Sequence, residues 1–154
     1  MEPEKPDRLP PLAMQLGWAG ILPMVGALLA AVSGEPRFQF AAFALGHAYA
    51  ALIFSFLGGL WWGLAARAEN APNWLWYASV APSLLALATF VPWVLGWPWP
   101  GYSLIVLGLA IATSFAVDKR ADAQGIAPTG WLRLRRPLSY GLGAATALLG
   151  FAAL

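Results

Sequence analysis

The sequence predicts an all-α integral membrane protein: a bundle of five transmembrane helices, with its N-terminus cytoplasmic and its C-terminus outside. Three observations carry this reading. Hydrophobic residues fill 60% of the 154 positions and charged residues only 10%, against ~25% charged in soluble domains. The charges are bunched, leaving uncharged stretches over 9–34, 38–66, 70–117 and 137–154, and a spanning helix needs roughly 20 apolar residues. Finally, Lys and Arg gather in alternate loops, as orientation by the positive-inside rule requires.

Residues 1–11, "MEPEKPDRLPP", are polar and proline-rich and read as a disordered cytoplasmic tail. Residues 12–154 form a single domain. Its first span covers about 12–32, with Pro23 inside it. A proline there predicts a bend whose freed carbonyl is satisfied by packing or water. After "SGEPR", a second span covers about 40–66 and is long enough to tilt. The loop "RAENAPN" leads to a third, about 74–95. "GWPWPG", with two prolines and two glycines in six residues, cannot continue a helix. It separates the third span from a fourth, about 101–117. A loop from Asp118 to Arg136 precedes the fifth span, 137–154, whose 18 residues give ~27 Å of helix.

This arrangement puts Lys5, Arg8, Arg67, Lys119, Arg120, Arg133, Arg135 and Arg136 on one side and only Arg37 on the other. The crowded side is assigned to the cytoplasm. Aromatic residues fall near both sets of helix ends: Trp61, Trp62, Trp74, Trp76, Tyr77, Trp131 and Tyr140 on the basic side, and Phe38, Phe40, Trp93, Trp97, Trp99 and Tyr102 on the other. They read as two interfacial belts.

"SFLGGLWWG" (54–63 with its leading Phe) sets Ser55, Gly59 and Gly63 four apart, a row of small residues that Ala51 extends. Such a row lets helix backbones approach closely. Gly58 lies on the neighbouring stripe with His47, Ala51, Phe54 and Trp61. Packing within the bundle is the plainer use of Ser55, Gly58, Gly59 and Gly63; contact with a membrane-protein partner or a second copy is the sharper one. Similar rows occur at Gly108, Ala112 and Ala116 and at Gly143 and Ala147.

The ligand-binding candidates are His47, Tyr49, Ser79 and Ser83. His47 is the only histidine, and ionisable groups inside membranes are functional hypotheses by default. Its plainer role is a neutral imidazole bonded to a serine or carbonyl of a neighbouring helix. The alternatives are contact with a quinone, Tyr49 assisting, or service as a haem ligand or proton relay. Ser79 and Ser83 flank Pro82, where a hydroxyl can satisfy a proline-freed carbonyl or a broken helix can bind a solute. In "WLRLRRPLS", Arg133, Arg135 and Arg136 are expected at anionic headgroups or on an acidic partner. Asp118 is expected to pair with that arginine cluster across the loop.

No cysteine is present, which excludes disulfides, iron–sulfur clusters and thiolate chemistry. One histidine cannot build a protein-only metal site, so no metal and no resident cofactor is expected. A net charge of +2 gives no reason to expect nucleic acid. No nucleotide-binding, zincin or nucleophile-elbow motif occurs, and no carboxylate pair lies within the spans, so the expectation is not an enzyme.

"LGWAGILP" (16–23), "YAALIFSFLGGLWWGLA" (49–65), "SVAPSLLAL" (79–87), Asp118 and "WLRLRRPLS" (131–139) occur in this order. Together they resemble DUF3429, a family of small multi-pass membrane proteins (transmembrane protein sixty-nine-like). The resemblance implies a multi-pass fold and carries no activity, ligand or catalytic residue with it. The residues favour a non-catalytic accessory or scaffold subunit of a membrane complex. A small-solute transporter or channel and a quinone- or lipid-binding protein are the alternatives. The bacterial inner membrane is the expected location, with the mitochondrial inner membrane as the other candidate.

Overall fold

The computed structural model describes residues 9–154, and every regular element among them is helical. All but the last three residues of the expected tail lie outside the described residues, and Pro11 already opens the first helix. That helix is α1 (Pro11–Ala19), followed after a bend by α2 (Leu22–Ala31). Pro23 explains the bend, because it lacks an N–H and its ring clashes with the preceding turn. The Gly20 carbonyl at the bend accepts the Tyr49 hydroxyl from the next helix, whereas the carbonyl that Pro23 deprives of its helical donor is that of Ala19.

Helix α3 (Pro36–Arg67) has 32 residues, ~48 Å at 1.5 Å per residue, against ~30 Å of hydrocarbon. Helix α4 (Asn73–Ala88) and the single turn α5 (Val91–Val94) form the return. Helices α6 (Gly101–Thr113) and α7 (Phe115–Ala123) meet at Ser114. There the Ser114 and Thr113 hydroxyls bond back to carbonyls three or four residues earlier, a pattern that bends helices. Helix α8 (Trp131–Phe151) starts after Gly130, whose φ of 85° favours glycine.

The expected loop of 118–136 is therefore much shorter. Helix α7 carries Asp118 on to Ala123, and α8 begins at Trp131 rather than Pro137, which sits inside it. The cause is tertiary: Asp118 on α7 is bonded to Trp131 and Arg135 on α8, which holds both helix ends in place.

Four helical segments are long and apolar enough to cross a membrane: 11–31, 36–67, 73–94 and 101–123. Helix α8 has 21 residues but spends its first turns on Arg133, Arg135 and Arg136, which keeps it out of that set. It lies along α6, while α3 packs chiefly on α4 and α2. Met24, Leu75, Leu104, Leu107 and Leu149 are fully buried, whereas Leu16, Leu22, Leu45, Leu52, Phe56 and Leu84 are exposed. Apolar residues cover the outside while His47, Asp118, Ser139 and Thr146 are enclosed. Lipid demands that distribution, since unpaired polar groups are costly in it. The chain is a multi-pass membrane protein.

Glycines set the closest helix contacts. A Cβ added at Gly108 would lie 2.6 Å from the Gly143 carbonyl oxygen, and one at Gly143 would lie 2.8 Å from that of Gly108. A Cβ at Gly150 would meet the Gly101 oxygen at 2.7 Å. The two helices thus touch backbone to backbone at two levels.

Candidate functional site

Two buried polar clusters tie the bundle together, one near each end. At the basic end, Asp118 on α7 is wholly buried. Its Oδ1 accepts the indole N–H of Trp61 at 2.8 Å and that of Trp131 at 2.9 Å. Its Oδ2 accepts Nε of Arg135 at 2.9 Å, and Nη2 of Arg135 donates to Ser139 Oγ at 3.0 Å. The helical period explains the alignment: Trp131, Arg135 and Ser139 are four apart and share one face of α8. Trp61 reaches the same carboxylate from the last turns of α3. One acid thus holds three helices through three donors.

At the other end His47 is also fully buried. Trp99 donates its indole N–H to His47 Nδ1 at 3.2 Å, and His47 Nε2 lies 2.9 Å from Thr89 Oγ1. The Thr89 hydroxyl donates to the Ala86 carbonyl at 2.6 Å. These bonds form one consistent chain when His47 carries its proton on Nε2. Phe90 stacks on the imidazole, centroids 4.2 Å apart, and Trp93 stacks on Trp99 at 4.8 Å. His47 therefore has neither a free ring nitrogen nor an open face. Among the described residues no three His, Asp or Glu side chains converge as metal ligands.

The sequence model of the family described as "Protein of unknown function (DUF3429)" matches residues 9–151, nearly the whole chain. The chain belongs to the DUF3429 family. No curated protein matches it, and no solved structure does. The DUF3429 match covers all the elements that build both clusters.

In this DUF3429 chain the candidates chosen from sequence are dispersed. His47 and Tyr49 sit on α3 but serve different partners, Thr89 with Trp99 and Gly20 respectively. Ser79 is buried and donates to the Trp76 carbonyl, while Ser83 is exposed, so the two do not form one locus. The carbonyl that Pro82 deprives of its helical donor is that of Ala78, four residues back, so the Ser79 bond does not replace it.

Of the small-residue row, Gly58 packs inward, its missing Cβ replaced by the Ser79 carbonyl oxygen and Pro82. Ser55 is half-buried. Gly59 and Gly63 face outward, with nothing within 4 Å of an added Cβ, so they do not pack within the bundle. Gly58 escapes the i, i+4 pattern that singled out its neighbours, yet it makes the contact.

Three further expectations change. Arg135 is 8% exposed and bonded to Asp118, not aimed at headgroups, while Arg133 and Arg136 are exposed. Trp61 and Trp131, expected in an interfacial belt, are 2% and 7% exposed and serve as donors. The reason is the same in each case: a carboxylate that far inside must recruit donors. Trp62, Tyr77 and Tyr140 keep exposed positions at that end.

Proposed function

We propose that this chain is a non-catalytic accessory or scaffold subunit of a membrane complex, acting through helix–helix contact. The observation that carries the proposal is the two-faced α3. Its Gly58 side is filled by α4, while Gly59 and Gly63 present backbone outward. Lipid alone gives no reason for small residues there, since leucine is as apolar and fills more space; a partner helix gives one. Both buried polar clusters are consumed in holding the chain's own helices, which fits a scaffold. In this reading α8 is a fifth span and the basic end faces the cytoplasm of a bacterium.

Native mass spectrometry of wild type and a Gly59→Leu/Gly63→Leu variant, each extracted from its own membranes into nanodiscs, tests the proposal. The expected result is a stoichiometric partner with the wild type that the variant loses while keeping its fold. A partner retained by the variant, or none with the wild type, overturns it.

A further inference from the structure

We infer that the groove between α1, α3 and α8 is a binding site for one acyl chain of an anionic glycerophospholipid. The groove encloses about 390 Å³, within the ~300–1,000 Å³ of small-molecule sites. A helix, ~10–12 Å across with its side chains, does not fit.

Its depth matches one leaflet. Along α8 its wall runs from Trp131 to Leu142, ~16 Å of helix, and half of a ~30 Å hydrocarbon core is ~15 Å. The inner end lies at Gly20 and Ile53, where Tyr49 fixes the bend between α1 and α2. The apolar length therefore ends about one leaflet deep.

The polarity is graded along that depth. Arg135 lines the half of the α8 wall nearer the basic end, with Ser139 one turn deeper. Nε and Nη2 of Arg135 are bonded, and Nη1 has no protein partner among the described residues. Exposed Arg133 and Arg136 flank it in sequence outside the groove lining, and their long side chains can carry positive charge outward to headgroup level. Asp118 already balances Arg135, so these two arginines supply the preference for an anion.

Small residues on α1 and at the bend after it keep the groove open. Ala13, Gly17 and Gly20 line it, and a Cβ at Gly17 would lie 2.7 Å from Leu134 Cδ1. Helix α1 contributes no buried residue, so a substitution on it alters the groove more than the core. Gly59 and Gly63 are not part of this groove, so the site is independent of the proposed partner contact.

The test uses the full chain in nanodiscs of phosphatidylcholine with a minority of phosphatidylglycerol, stepwise delipidation and native mass spectrometry. Wild type should retain one phosphatidylglycerol, preferred over phosphatidylcholine by roughly thirtyfold, the size expected of two basic side chains at a headgroup. Ala13→Phe should abolish retention, with a circular-dichroism melt confirming that the variant is folded. Arg133→Gln/Arg136→Gln should leave one lipid bound but erase the preference. Retention at the wild-type level in Ala13→Phe overturns the site, as does equal retention of both lipids by the wild type.

Discussion

Asp118 and Arg135 show what a buried ion pair does here. Pairing of Asp118 with the arginine cluster was legible from charge placement alone. Its burial was not, nor were its indole donors: Trp61 is 57 positions away, and nothing local marks one tryptophan as a donor and the next as lipid-facing. Removing one partner of such a pair costs far more than replacing both. Asp118→Ala should lower stability by about 3–5 kcal/mol, and Asp118→Leu/Arg135→Met should recover most of the loss. Reversible unfolding in detergent micelles measures both. The His47 cluster gives a smaller effect. His47→Phe keeps the stacking on Phe90 but strips Trp99 of its acceptor, an expected loss of about 1–3 kcal/mol by the same measurement.

At the scale of elements, helix seams depend on which glycine faces inward. A period of four picked out Ser55, Gly59 and Gly63, yet periodicity does not say which side of a helix meets a neighbour when every side is apolar. In soluble proteins a polar face settles that question; in α3 the exposed positions include apolar Leu45, Leu52, Phe56 and Trp62. The rows at Gly108 and Gly143 were also visible, and these two do meet. Gly58→Leu must displace the Ser79 carbonyl and should cost about 1–3 kcal/mol or more. Gly59→Leu, one residue on, should leave the melting temperature in detergent unchanged. The extension of α7 past Asp118 was hidden because its run of charged residues looks like a loop until its partners are known.

For the whole molecule, composition was enough to establish a helical membrane protein. The absence of cysteine makes the proposed orientation easy to check. Single cysteines in place of Lys119 and of Arg37 should react with a membrane-impermeant maleimide from opposite sides, the Lys119 position only after the cells are opened.

The three-donor carboxylate also bears on how the chain is made. Synthesis delivers Trp61 first, then Asp118, and only afterwards Trp131 and Arg135. A chain that stops at Gly130 therefore carries its acid with one of three donors. Such a fragment is a natural target for membrane proteases, and pulse-chase labelling should show a shorter half-life than for the full chain. Asp118→Leu in the same fragment should lengthen it again. Helix α8, made after α3 and α7, brings the two donors that complete the clasp on them.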